Sequence, residues 1–140
     1  MLEKTCRSAN EIEIAIDDEN SVFGARDRVT RFLRQNFLDS NKLKLTEALT
    51  IVTEIARNMC EYAGGGVIVV SICGVDKTKL KMIFSDTGPG FDAEAVLSGN
   101  CNTHGLGLGI TGSKKLSDIF FIKSGKSGTM ISCTKIMKSL

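Results

Sequence analysis

The sequence lacks the features that mark a membrane-spanning or secreted protein. None of its apolar runs approaches the ~20 residues needed to cross a bilayer. The opening residues, MLEKTCRSANEIEIA, have no apolar core of the kind a signal peptide carries. The formal net charge of +2 is too small to favour nucleic acid or a membrane surface as a partner. These absences predict a cytoplasmic protein that binds neither nucleic acid nor membrane.

The cysteines and the single histidine do not form the pattern of a disulfide framework or of a zinc site. The five cysteines are odd in number and form no CxxC pair, and several lie in apolar runs where cysteine behaves as a small hydrophobe. A reducing compartment is the simpler interpretation. The only histidine, His104, is interpreted as a loop residue without a chemical role. The cysteines are Cys6, Cys60, Cys73, Cys101 and Cys133.

What the sequence does contain is typical of one globular domain, and we take residues 1–140 as that domain. Apolar residues make up 42% and charged residues 24%, which is enough apolar content for a core. The alternating stretch EIEIAI, Glu11 to Ile16, predicts a half-buried strand. Hydrophobic spacing predicts further strands at 67–73, 80–85, 118–123 and 129–135, helices from Asn20 or Ser21 to Phe37, at 43–62 and at 108–116, and a loop with a helical turn at 91–104.

The order of these elements is β-α-α-β-β-loop-α-β-β, in which neighbouring strands pair as hairpins. The expected fold is therefore α+β, a two-layer α/β sandwich with a mostly antiparallel, mixed sheet. The first helix carries four arginines, which favour either a solvated basic face or a docking face for an acidic partner. The arginines are Arg26, Arg28, Arg31 and Arg34.

Three short stretches contain residue types that could perform chemistry. In TEIARN, Glu54 and Asn58 are four residues apart and share a helix face. That face is either the solvent side of an amphipathic helix or the wall of a pocket. In a pocket, the asparagine oxygen could ligate Mg²⁺ and the carboxylate could accept a proton.

The second stretch is SDTGPGF, where Asp86 ends a strand and Gly88 and Gly90 follow. It is either a tight turn or a place where the backbone approaches a ligand, with Asp86 as acceptor for an amino group. The third is HGLGLGITG, whose glycines could turn backbone N–H groups toward an anion at a helix start. Lys114 and Lys115 follow and could reach a phosphate.

Together, and in this order, the three stretches and the final Gly128–Thr129 resemble the GHKL ATP-binding fold of histidine kinases, gyrase and MutL. The resemblance covers nearly the whole chain. It implies that Asp86, helped by Thr129, accepts from the adenine amino group and that Gly88 and Gly90 make room for the base. It also implies that Asn58 holds Mg²⁺ and that Glu54 orients or deprotonates the attacking hydroxyl. The implied phosphate-binding residues are Gly105, Leu106, Gly107, Leu108, Gly109 and Lys114.

Within that family the wording EIARNMCEYAGGG and GLGLGITGSKKL resembles the small RsbT-type serine/threonine kinases of bacterial partner-switching systems. The resemblance implies ATP and Mg²⁺ as cofactors and a STAS-domain antagonist protein as the substrate. A sigma factor or a phosphatase is a further implied partner, and a homodimer stays open. The alternatives are an ATP-gated regulatory binding module and a detached histidine-kinase catalytic domain.

Some relatives carry an arginine before the glycines, where this chain has Asn102, Thr103 and His104. The group that neutralises the γ-phosphate, with Arg57 or Lys114 as candidates, therefore stays open.

Overall fold

The computed structural model describes residues 10–37, 41–99 and 106–138. Predictions made for Cys6, Cys101, Asn102, Thr103, His104 and Gly105 lie outside these ranges. The strands are β1 (Glu11–Ile16), β2 (Gly66–Cys73), β3 (Lys79–Asp86), β4 (Ile119–Gly125) and β5 (Gly128–Ile136), and the helices are α1 (Glu19–Asn36), α2 (Lys42–Ala63), α3 (Ala93–Ser98) and α4 (Leu106–Leu116).

The two long helices begin and end at residues suited to those positions. Asp18 caps α1: its side chain accepts from the Ser21 N–H, and the Ser21 hydroxyl accepts from the Asp18 N–H in return. The cap therefore lies two to three residues before the predicted Asn20 or Ser21. Asn41 caps α2, and Gly64 ends it in the left-handed conformation that glycine adopts without steric cost.

The five strands form one sheet in the order β1-β2-β3-β5-β4, and every pairing among them is antiparallel. This confirms the predicted two-layer α+β fold, with a sheet that is antiparallel throughout rather than mixed. One face of the sheet packs against the helices and supplies Ile68, Val70, Met82 and Phe84 to a core that is closed to solvent. No helix in the described ranges is both long and apolar enough to cross a membrane.

The start of α4 differs from its prediction. The sequence pattern predicts a helix over 108–116, but α4 already begins at Leu106, so Gly107 as well as Gly109 lies inside the helix. Glycine lowers helix propensity by about 1 kcal/mol, and the sequence pattern therefore places the boundary too late. The close packing of α4 against α2 at Gly109 outweighs that preference.

Candidate functional site

A cavity lies between the second half of α2, the ends of β3 and β5, and the first turns of α4. Its walls are largely apolar, and Asn58, Asp86 and Thr129 place polar atoms in them. The remaining lining residues are Ile55, Met59, Tyr62, Ala63, Gly90, Phe91, Ile110 and Ile131. An apolar cleft with a few convergent polar groups is the usual form of a small-molecule site.

Asp86 is fixed at one end of this cavity by the sheet. It is the last residue of β3 and pairs with Thr129 of β5. One carboxylate oxygen, Oδ1, accepts from the Gly88 N–H at 3.0 Å and from the Thr129 N–H at 3.2 Å. Oδ1 accepts twice, and no hydrogen bond to Oδ2 is found among the described residues, so Oδ2 is the oxygen that can accept from a ligand. The Thr129 hydroxyl lies 2.6 Å from that of Ser124.

Gly88 and Gly90 are needed by the protein itself. A Cβ at Gly88 would lie 2.5 Å from the Cβ of Ala63, at the end of α2. Gly90 has a φ of +74°, and a Cβ there would overlap the carbonyl oxygen of Gly125. The two glycines therefore let the turn after β3 pass close to α2 and to the β4–β5 hairpin, and Gly90 also lines the cavity. The suggestion that they make room for a base stays a prediction.

The structure brings the first and third stretches of the sequence together. At Gly109 the backbone of α4 lies so close to α2 that a Cβ would be 3.2 Å from Asn58 Nδ2 and 3.3 Å from Glu54 Oε1. The beginning of α4, where the first N–H groups have no partner within the helix itself, is thus held next to both side chains. This close approach is the physical reason for glycine within the helix at this position.

Asn58 carries one of two buried side-chain polar atoms that have no hydrogen-bond partner within the described ranges; the other is Ser113 Oγ. Such an atom costs about 1–3 kcal/mol of unfolding free energy, so an unpaired amide at the edge of a cavity indicates a role toward a ligand. Rotation of the amide by 180° presents its oxygen instead of its nitrogen, and that oxygen is a suitable Mg²⁺ ligand.

Glu54 is half-buried on the same side of α2 as Asn58. Its side chain is 40% exposed, and its Oε2 lies 3.4 Å from Nη1 of Arg57, one turn further on. Arg57 is paired with the Glu54 carboxylate next to the cavity. Arg57 therefore stays a candidate for neutralising a phosphate. This face of α2 is therefore not only the solvent side of an amphipathic helix, because Glu54 and Asn58 lie against α4.

Lys114 and Leu108 do not line this cavity, and their predicted contacts with phosphate, through backbone N–H groups in the case of Leu108, stay predictions. Lys114 lies in the last turn of α4, seven residues after Gly107, which is about 10 Å along a helix axis. Leu108 is 81% exposed. Lys114 thus lies near the end of α4 that is opposite to Gly107 and Gly109.

Several residues in and around the site were not predicted from the sequence. Tyr62, Phe91 and Ile110 line the cavity, and they read in the sequence as ordinary core or loop residues. The Ser124 hydroxyl accepts from the Phe91 N–H at 2.9 Å and so ties the turn after β3 to β4. The only sign of this role in the sequence was the position of Ser124 directly before the glycine turn between β4 and β5.

The family model for the histidine kinase-like ATPase domain matches residues 14–135. The serine/threonine-protein kinase RsbT of Bacillus subtilis (strain 168) is 38% identical over 93 residues, covering 64% of this chain and 70% of that protein.

Two solved structures show the same fold at low sequence identity. One contains the RsbU and RsbW domains of a Mycobacterium tuberculosis protein, with a TM-score of 0.67 and 14% identity, and it covers 93% of this chain and 33% of that one. The other is the SiaB–SiaC complex of Pseudomonas aeruginosa, with a TM-score of 0.60 and 8% identity, covering 96% of this chain and 95% of that one. At these identities the likeness concerns the fold alone.

Proposed function

The chain belongs to the family of histidine kinase-like ATPase domains, and on this premise we propose that it is a protein serine/threonine kinase. The proposed reaction transfers the γ-phosphoryl group of ATP to a serine or threonine of a STAS-domain antagonist protein in the cytoplasm, within a partner-switching pathway. The observation that carries the proposal is the contact of α4 with Glu54 and Asn58 beside the cavity that contains Asp86.

The cavity suits the adenine end of ATP. Its walls are apolar where a base would stack, and Asp86 has one carboxylate oxygen engaged within the protein and one available to accept from the amino group. Thr129 supports this arrangement with its backbone N–H. The sheet register, which sets Asp86 opposite Thr129, pre-organises both groups before any ligand arrives.

The phosphate end would lie at the beginning of α4. Backbone N–H groups in the first turn of a helix have no partner within the helix and favour an anion. Asn58 is adjacent and would hold Mg²⁺ through its amide oxygen, with phosphate oxygens and water as the other ligands. In the described ranges no three His, Cys, Asp or Glu side chains cluster to hold a metal alone, which agrees with a metal brought by the nucleotide. When bound, Mg²⁺ would neutralise phosphate charge.

Glu54 is proposed as the group that receives the proton of the acceptor hydroxyl. The hydroxyl oxygen forms a bond to the γ-phosphorus, the bond from that phosphorus to the β–γ bridging oxygen breaks, and the proton passes to the Glu54 carboxylate. Glu54 contacts α4 beside Asn58, so it lies next to the proposed phosphate position. Positioning and charge neutralisation are the main demands of phosphoryl transfer, and this small set of residues meets them.

The test is transfer of labelled γ-phosphate from Mg-ATP to proteins in a lysate of the source organism. We expect one small protein to gain acid-stable phosphoserine or phosphothreonine. Glu54→Gln should lower the transfer rate by about 10²–10⁴-fold, the usual contribution of a positioned base, while nucleotide affinity stays the same. Glu61→Gln is the matched control, because Glu61 is an exposed carboxylate on the same helix.

Other outcomes would point to a different function. An acid-labile phosphate would indicate a histidine acceptor, as in a detached histidine-kinase catalytic domain. Nucleotide binding without any transfer would indicate a regulatory module that ATP gates. Normal transfer by Glu54→Gln would remove Glu54 from the mechanism.

A further inference from the structure

A groove runs along the contact between α1 and α2, on the side where both helices face solvent. Two cavities lie in it. The α1 side chains that line them recur every three or four residues, as do those of α2, so the cavities belong to one stripe on each helix. We call this surface the α1–α2 groove and define it by Phe23, Arg26, Arg34, Lys42, Thr53 and Arg57.

The groove is basic and has an apolar side chain at one end. Phe23 is 68% exposed and shares one cavity with Arg26 and Arg57. Among the residues that the structure describes, Glu19 is the one acidic residue that lines this cavity, and the other cavity is lined by Arg34 and Lys42 and by no acidic residue. An exposed phenylalanine between arginines is the composition typical of a protein-binding surface. The charge favours an acidic partner.

One end of the groove lies beside the proposed catalytic carboxylate. Arg57 lines the groove and is 3.4 Å from Glu54, and Thr53 precedes Glu54 in the chain. A protein that presents a serine or threonine hydroxyl to Glu54 must therefore approach over this end of α2. Because the groove ends next to Glu54, an acidic protein bound in it can present its serine or threonine to that carboxylate. The phosphoacceptor is therefore the expected occupant of the groove.

We propose that the α1–α2 groove is the docking surface for the phosphoacceptor protein, which places acidic side chains on Arg26 and Arg57 and an apolar side chain on Phe23. This inference rests on the proposed kinase function and adds to it the chemistry of the partner surface. It also divides the arginines of α1 into two groups, since Arg26 and Arg34 line the groove whereas Arg28 and Arg31 do not.

The experiment compares Arg26→Glu and Phe23→Ala with Arg31→Glu, a control with the same charge change on the same helix. The labelled protein from the lysate is purified and used as acceptor at a range of concentrations. Reversing a charge in a docking surface should lower transfer at limiting acceptor by at least about tenfold and raise KM, with kcat largely kept. Affinity for Mg-ATP should be unchanged in all three variants, and this also shows that they are folded.

Each other outcome overturns the inference. Equal transfer by Arg26→Glu, Phe23→Ala and the wild type would show that the acceptor docks elsewhere while the kinase function stands. An equal loss in Arg31→Glu would show a general charge effect and no docking groove. Loss of a dimer at an unchanged transfer rate would assign the groove to a second copy of this chain. If the wild type labels no protein, the proposed function and the docking inference fail together.

Discussion

The two ends of α4 are held in opposite ways. At its C-terminal end, Lys135 of β5 donates to the carbonyl oxygen of Leu116 at 2.8 Å and pairs with Glu47 of α2, also at 2.8 Å. At its N-terminal end, the backbone at Gly109 packs against Glu54 and Asn58, and the Asn58 amide nitrogen has no partner among the described residues. One end is fixed by a polar network with its partners in place, and the other is left with an unmet hydrogen bond.

The difference shows which end carries stability and which carries function. A cation at a helix C-terminus satisfies free carbonyl groups and complements the helix dipole, so the Lys135 end anchors α4 to both layers of the fold. The Asn58 end keeps a buried polar group that costs folding free energy until a ligand pairs with it. Variants at the two ends should therefore change stability with opposite signs.

The largest expected effect comes from Lys135→Met. This change leaves Glu47 partly buried without its partner and removes a hydrogen bond to α4, so the free energy of unfolding should fall by about 3 kcal/mol. The value is at the low end for a buried pair because the Glu47 side chain is 27% exposed and can regain some hydration. Urea unfolding followed by circular dichroism measures the loss.

A double variant checks the cause of that loss. Lys135→Met together with Glu47→Leu removes both charges, and replacing a buried pair by apolar side chains is often nearly neutral. We expect most of the stability to return. If the double variant is as unstable as Lys135→Met alone, the hydrogen bond to Leu116 carries the effect and the ion pair does not.

The second effect is at the other end of α4. Asn58→Leu keeps a similar volume and removes the unpaired amide, so the free energy of unfolding should stay the same or rise by about 1 kcal/mol. Affinity for Mg-ATP should fall by at least about tenfold, as expected when a metal-binding group is lost. Calorimetric titration with and without Mg²⁺ measures the affinity, and urea unfolding measures the stability.

Ser113→Ala is the matched control for this variant. It removes Ser113 Oγ, the other buried side-chain polar atom without a partner in the described part of the chain, and Ser113 does not line the cavity. It should likewise keep or raise stability, but leave nucleotide affinity unchanged. Wild-type affinity in Asn58→Leu would contradict the assignment of Asn58 to the metal, and a fall in stability would show that its amide is satisfied in solution.

The same contrast explains how much could be predicted from the sequence. The five strands, the two long helices and the α+β class were predicted, because hydrophobic periodicity is a local property of the chain. Asp86, Asn58 and Glu54 were singled out because their residue types and spacing are unusual. Local patterns therefore identified the elements and the polar side chains of the site.

The remaining features depend on contacts between distant parts of the chain. Lys135 reads as the end of an alternating strand, and its partners Glu47 and Leu116 are far away in sequence. The start of α4 was misplaced because glycine disfavours helix, whereas its packing on α2 requires glycine at 109. Residue propensity alone predicts neither the partners of Lys135 nor the start of α4, because both depend on tertiary packing.

The smallest effect compares two glycines within α4. A Cβ at Gly112 meets no atom within 4 Å, so Gly112→Ala should raise the free energy of unfolding by about 0.5–1 kcal/mol through helix propensity. Gly109→Ala gains the same propensity but places its methyl group 3.2 Å from Asn58 Nδ2. Its net gain should be smaller, and it should slow phosphoryl transfer because it displaces Asn58 and Glu54, whereas Gly112→Ala should not. If urea unfolding and transfer rates show equal effects for the two variants, the packing at Gly109 does not position the site, and the N-terminal end of α4 owes its place to other contacts.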